Sequence, residues 1–110
     1  MPHPVFLTDD AAHDLDELHG YISRHDTTGR ADYVLAQLEK AFISISLAES
    51  PERGAHPPEL LHLGIREYRE IFFKPYRMIY RIVDGTVYVL LVADGRRDMQ
   101  ALLQRRLLES

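Results

Sequence analysis

At 110 residues, 45% hydrophobic and 27% charged, the chain has the composition of one ordinary globular domain, spanning 1–110, and is long enough to bury a core. It contains no cysteine, which excludes a disulfide framework and any thiolate metal site. The net charge of −4 hides a split: residues 1–60 carry four Lys or Arg against eleven acids, and residues 61–110 carry nine against six, so the two parts stand at −7 and +3. Such a split fits a basic half that meets something anionic or acidic. It fits equally a helical half and a sheet half with different surfaces.

Val5-Phe6-Leu7 is a short β-prone run and predicts a first strand. Thr8 reads as an N-cap, and Asp9 and Asp10 follow in the first turn, where carboxylates suit the helix dipole. Ala11, Leu15, Leu18 and Ile22 then recur at helical spacing up to about Arg24-His25. Asp26-Thr27-Thr28-Gly29 is a turn that offers the next cap. A second helix is predicted from about Arg30 to Ala48, with Ala31, Val34, Leu35, Leu38, Ala41, Phe42 and Ile45 as its apolar stripe. The short connection predicts an antiparallel helical hairpin.

Ser50 to Gly54 and Pro57-Pro58 mark a long loop that no helix is expected to cross. Three strands follow, Ile65 to Phe73, Tyr76 to Val83 and Thr86 to Ala93. Asp84-Gly85 is a two-residue hairpin signal, and Lys74-Pro75 is a turn before it. Asp94-Gly95 ends the sheet. A final helix is expected from Arg97 to Leu108, with Leu102, Leu103 and Leu107 on it. The fold class is α+β in the order βααβββα: an N-terminal strand and a helical hairpin packed on a mostly antiparallel sheet, then a C-terminal helix.

A two-residue Asp84-Gly85 loop sets Ile82 opposite Val87, Tyr80 opposite Val89 and Arg77 opposite Val92. Met78, Tyr80, Ile82, Val87, Val89 and Leu91 then share one face, the expected core. The other face carries Arg77, Ile79, Arg81, Tyr88, Leu90 and Val92. A two-residue turn at Lys74-Pro75 adds Glu70 and Phe72 to it, with Glu70 diagonal to both arginines. Two readings stand. The arginines pair with Glu70 and cover apolar sheet with their stems, or the face binds an acidic partner or a phosphate backbone. Arg96-Arg97 is a second basic pair, just past the last strand. Arg105-Arg106 sits where a helix C-terminus favours cations anyway.

Much chemistry is absent from the pattern. The histidines show no HExxH or other metal spacing, so no metal site is expected. No GxGxxG, GxxxxGK or GxSxG motif occurs, so no cofactor and no ordinary hydrolase chemistry are expected. Asp14, Asp16 and Glu17 read as a solvated helix face. No apolar run reaches the ~18 residues of a membrane span, and Met1-Pro2-His3-Pro4 has neither region of a secretory signal. A cytoplasmic protein without membrane association is expected.

A helical hairpin with Leu15-x-x-Leu18-x-x-Tyr21-Ile22 precedes a Pro51-x-x-Gly54 loop. Then come Ile65-Arg66-Glu67-Tyr68-Arg69 and Pro75-Tyr76-Arg77-Met78-Ile79-Tyr80-Arg81-Ile82, and a last strand that ends before Arg96-Arg97. Over nearly its whole length this resembles the ParE/RelE superfamily of type II toxins, and its ParE branch more than its RelE branch. The resemblance implies a toxin neutralised by a cognate ParD-like antitoxin in a hetero-oligomer. The antitoxin's C-terminal segment would wrap the hairpin and sheet, by helix-in-groove and strand-addition recognition. The antitoxin-binding candidates are Leu18, Tyr21, Ile22, Leu38, Phe42, Tyr68, Phe72, Ile79 and Tyr88.

The toxic-surface candidates are Arg77, Arg81, Arg96 and Arg97. Arg77 matches the arginine of the superfamily's Tyr-Arg strand, and Arg96 or Arg97 matches the one after the last strand. RelE-like members are ribosome-dependent mRNA endonucleases, whereas ParE-like members inhibit DNA gyrase. Where RelE carries two lysines this chain reads Tyr68-Arg69-Glu70, and Met99-Gln100-Ala101-Leu102 has no Tyr or His in place of the RelE tyrosine. A Glu among the arginines and no nearby general acid or base suit phosphodiester cleavage poorly. The expectation is therefore a non-enzymatic gyrase inhibitor that does not bind DNA directly. An mRNA endonuclease and a degenerate, non-toxic binding partner are the alternatives.

Overall fold

The computed structural model describes residues 3–47 and 51–109. The elements run β1 (Val5–Leu7), α1 (Asp9–His25), α2 (Thr28–Leu47), α3 (Pro58–Leu61), β2 (Tyr68–Phe73), β3 (Tyr76–Val83), β4 (Thr86–Asp94) and α4 (Met99–Leu103), the last continuing as a π-helix over Gln104–Leu108. The expected helix end at Ala48 and loop start at Ser50 lie outside the described residues, as do Met1, Pro2 and the side chain of Ile45.

The helix starts follow local chemistry. Thr8 Oγ1 accepts the Ala11 N–H at 3.2 Å, and the Thr8 N–H donates to Val89 O at 3.0 Å. One residue therefore ends β1 against β4 and caps α1. Thr27 Oγ1 accepts the Arg30 N–H at 2.9 Å at the head of α2. Only Asp26 and Thr27 separate the two helices, and they pack on each other.

The sheet is mixed, in the order β1-β4-β3-β2, with β1 parallel to β4 and the other pairs antiparallel. The β3–β4 turn has positive φ at both Asp84 (50°) and Gly85 (77°), the mirror-image turn that Asp-Gly favours. Lys74-Pro75 closes the β2–β3 turn with a cis peptide bond, and Phe72 pairs with Arg77 as the two-residue turn predicts.

The face assignment changes halfway along β4. Tyr80 pairs with Val89, but Ile79 pairs with Leu91, which leaves Leu90 as the extra residue of a β-bulge. A single inserted residue flips every later side chain. Val92 therefore joins Met78, Tyr80, Val87 and Val89 beneath α1 and α2, around Ala11, Val34 and Leu38. Leu91 moves to the opposite face with Ile79 and Ala93. The sequence alone had exchanged Leu91 and Val92, and had paired Arg77 with Val92 where the structure has Ala93.

That opposite face is largely covered by the chain itself. The Pro-rich loop contains a helical turn at Pro51–Arg53 and the short α3, neither of which was expected. Pro58 at the first helical position has the φ a helix start needs and no N–H to waste. Leu60 of α3 and Met99, Leu102 and Leu103 of α4 pack over Tyr68, Ile79, Leu91 and Ala93. The last helix begins behind the cap residue Asp98, whose carboxylate accepts the Ala101 N–H at 3.1 Å, so Arg97 lies before it. Similarly, β2 begins at Tyr68, later than Ile65.

Asp14 and Arg106 close the open edge of β4 beyond the end of β1. Asp14 Oδ2 accepts the Val92 N–H at 3.0 Å. Arg106 donates to both Asp14 oxygens at 2.9 and 3.1 Å and to Leu90 O at 3.0 Å. Asp14 is therefore not a solvated residue, and Arg106 ties the C-terminal helix to α1. Asp14→Ala should cost about 1–3 kcal/mol in urea denaturation, because it strands a part-buried N–H and a guanidinium. Asp10→Ala, which removes an exposed carboxylate 3.9 Å from Arg106, should cost under about 1 kcal/mol.

Candidate functional site

Arg77 anchors the covered face. Its Nε donates to Glu70 Oε1 at 2.6 Å, and its Nη1 and Nη2 donate to the two oxygens of Glu59 at 2.8 Å each. The second contact is a bidentate fork from β3 to α3. Arg77 and Glu70 are both buried, and Phe72 lies against the guanidinium at 6.0 Å. Gly95 makes room for the stem: a Cβ there would lie 2.8 Å from Arg77 Cδ.

The two carboxylates respond differently to one cation. The Arg77 hydrogen bonds hold Glu59 below its usual range. Burial pushes Glu70 up, and this outweighs the opposing pull of the Arg77 bond. Arg77 is itself held more firmly protonated, chiefly by Glu59.

The loop before α3 is fastened at the β2 edge, by side chains on the other face of the sheet. Tyr80 donates its hydroxyl to Pro51 O, and Arg69 Nη1 donates to Glu52 O and to Gly54 O. A Cβ at Gly54 would overlap Tyr80 Oη, so the close approach requires glycine. Ala55 bridges Glu70, extending the sheet edge.

The structure divides the expected toxic-surface residues. Arg77 is in the interior, since its carboxylate partners consume its donors. Arg81 is partly exposed, lies 5.8 Å over the Tyr68 ring and approaches Glu67 at 3.7 Å. Arg96 folds back on Asp94, with Nη2 to Oδ2 at 2.6 Å, and this holds the Asp94 carboxyl below its usual range. Arg97 is exposed and, among the described residues, has no side-chain hydrogen bond or ion pair.

Five of the antitoxin-binding candidates are also interior. Ile22, Leu38 and Phe42 fill the core beneath the hairpin, while Tyr68 and Ile79 lie on the α3 and α4 side. A helix stripe wide enough to look like a docking face is here the face that packs on the sheet. Tyr21, Phe72 and Tyr88 are exposed at 56%, 58% and 36%, and Leu18 is half-buried.

A groove of about 620 Å³ opens between α1 and the end of β4. Leu18, Tyr21 and Arg24 line it from the helix, and Tyr76, Arg96 and Arg97 from the sheet end. Arg77 lies beneath this strand end through Gly95 but not in the groove. Glu59 was missed in the sequence, although Pro-Pro-Glu is itself a helix-start signal. Asp14 was missed too, although it falls between Ala11 and Leu18 on the core-facing period, where an acid needs a partner.

Among the described residues, no three His, Asp or Glu side chains converge as metal ligands, and no helix is long and apolar enough to cross a membrane. Solved structures share the architecture. A chain of the chromosomal ParDE toxin–antitoxin system of P. aeruginosa superposes with a TM-score of 0.69 at 15% identity, over 84% of this chain and 95% of that one. A chain of the RelBE2 toxin–antitoxin complex of Mycobacterium tuberculosis gives 0.56 at 27% identity, over 86% and 92%. A doubly arginine-substituted RelE toxin of E. coli in the free state gives 0.59 at 15%, over 93% of each. No curated protein matches the chain in sequence. The fold is that of the small toxins of the ParE and RelE type. More narrowly, residues 5–99 match the profile of the ParE toxin of the type II toxin–antitoxin system, parDE, and the chain belongs to that family.

Two measurements probe the buried ion cluster. Arg77→Met should cost about 3–5 kcal/mol, since it leaves two carboxylates without their cation. Adding Glu70→Leu should recover part of that loss, read by urea denaturation. Acid melts test the second point. Glu59, held low, contributes stability that is present above the ordinary carboxylate range and lost as pH falls through it. Glu70, held high, contributes with the opposite sign. Glu59→Gln should therefore flatten the fall of Tm with acidification, and Glu70→Gln should steepen it.

Proposed function

We propose that the chain is a toxin that inhibits DNA gyrase in the cytoplasm and is neutralised by a cognate ParD-like antitoxin in a hetero-oligomer. The exposed Arg96 and Arg97 beyond the end of β4, with the partly exposed Arg81 at the far end of β3, form its toxic surface, and Arg77 acts from below as a positioning residue. Exposed Tyr21, Phe72 and Tyr88, with half-buried Leu18, contact the antitoxin. Ile22, Leu38, Phe42, Tyr68 and Ile79 shape those surfaces from within.

The observation that carries the reading is the match to the ParE toxin family over residues 5–99. The local chemistry supports inhibition by binding over cleavage of RNA. Arg77 is already bound by two carboxylates and Arg96 by a third. These partners would compete with a phosphate for the donors that a phosphodiesterase needs free. The groove beside Arg96 is lined by Asp14, Asp16, Glu17 and Asp94, whose carboxylates oppose the approach of an RNA phosphate.

Purified chain added to gyrase and relaxed plasmid should block supercoiling, and prior addition of antitoxin should restore it. Arg81→Ala and Arg97→Ala should each weaken inhibition roughly three- to tenfold, for loss of a charged contact of about 1 kcal/mol. Intact supercoiling together with codon-specific mRNA cuts in a translation extract would replace this reading with ribosome-dependent RNA cleavage. Unchanged bacterial growth on expression without antitoxin would make the chain a non-toxic binding partner.

A further inference from the structure

The groove between α1 and β4 has a polarity that follows from how the two elements run together. Thr8 bonds to Val89 at the start of α1, and Asp14 bonds to Val92 further along. The helix and strand thus advance side by side, and Tyr21 and Arg24 arrive level with Asp94, Arg96 and Arg97. At that end two arginines, Arg24 and Arg97, make no hydrogen bond or salt bridge with the described residues, although the Arg97 charge helps hold the Asp94 carboxyl low. At the other end of the same groove stand Asp16 and Glu17.

Gly20 gives independent support. It sits inside α1, where a glycine costs helix stability relative to alanine. No positive φ and no turn requires it there. A Cβ at Gly20 would lie 3.1 Å from Arg24 Nη1. The missing side chain lets the Arg24 guanidinium lie back along the helix beside the groove. A helix-weakening residue thus seats a cation that nothing in the described chain engages.

We propose that this groove binds an acidic segment of a partner protein, with its carboxylates on Arg24 and Arg97 beside the exposed Tyr21 ring. Planar guanidiniums take carboxylates in paired hydrogen bonds, and the ring offers apolar cover to the peptide between them. A nucleic-acid backbone fits less well, because its evenly spaced phosphates would continue into Asp16 and Glu17, on a chain of net charge −4. A peptide can place acids at one end of the groove and neutral or basic residues at the other. The volume of about 620 Å³ suits several side chains rather than a single small anion. Arg97 belongs to the proposed toxic surface, but the inference does not need gyrase to be the target. A failed supercoiling assay would leave the peptide result standing.

The test is fluorescence anisotropy of the full chain with a labelled peptide alternating Glu and Tyr, against a Lys–Tyr peptide and a single-stranded oligonucleotide of equal length. The Glu–Tyr peptide should bind most tightly. Arg24→Gln and Arg97→Gln should each weaken it roughly three- to tenfold, with the effect shrinking as salt rises. Gly20→Leu should raise Tm while weakening the peptide, since it favours the helix and displaces the guanidinium. A merely structural glycine would not separate the two readouts in that direction. Peptide affinity indifferent to Arg24→Gln and Arg97→Gln would overturn the proposal. So would tighter binding of the oligonucleotide that those same substitutions abolish.

Discussion

The fork from Arg77 to Glu59, with Glu70 beside it, holds the second half of the molecule together. Three charges leave water here, and two carboxylates share one cation. Such a cluster is worth little against an apolar replacement, but it is costly to break from one side, because a buried charge is then stranded. Its consequence is geometric. Arg77 stands on β3, Glu70 on β2 and Glu59 on α3, so one guanidinium sets where the loop returns over the sheet. Leu60, the next residue, then enters the second core, and α3 packs on α4. The stem of the same arginine passes under Gly95 and so sets the turn that carries Arg96 and Arg97.

A second constraint sits at the β-bulge. β1 accompanies β4 only as far as Val89. Past that point Leu90 O and Val92 N–H would face an open edge, and unpaired buried backbone groups are costly. Asp14 from α1 and Arg106 from the last helix supply the missing partners. The pair also pins both ends of the chain to the same strand. The helical hairpin and the C-terminal helix lie on opposite faces of the sheet but are joined through Arg106, chiefly by its pair with Asp14. The groove beside it inherits its shape from that arrangement.

Charge is sorted by depth as well as along the chain. Arg77 and Arg106, inside the fold, are paired with carboxylates, and Arg24 and Arg97 at the rim make no salt bridge with the described residues. The aromatic side chains divide in the same way. Tyr68 and Tyr80 are consumed by packing, whereas Tyr21, Phe72 and Tyr88 are left facing outward.

Local rules were enough for much of this. Thr8 and the Asp84-Gly85 pair act within a few residues of themselves, so the cap, the hairpin turn and the element order were legible without a structure. The Leu15 to Ile22 spacing and the Tyr76 to Ile82 run likewise identified the family from sequence alone. The diagonal contact of Glu70 with Arg77 also followed, because a two-residue turn dictates its own register. What stayed hidden depends on contacts distant in sequence. The bulge at Leu90 shows no signal in the residues beside it, yet it exchanges Leu91 and Val92 between faces. Amphipathicity says that a stripe is buried but not against what, so Leu38, Ile79 and Arg77 looked available to a partner although the chain covers them itself. The sequence thus determined the family and the elements in their order, apart from the turn at Pro51–Arg53 and the short α3. Only the tertiary structure decided which arginines are spent inside the protein and which remain free for a partner, because ion pairing depends on distance in space and not on spacing along the chain.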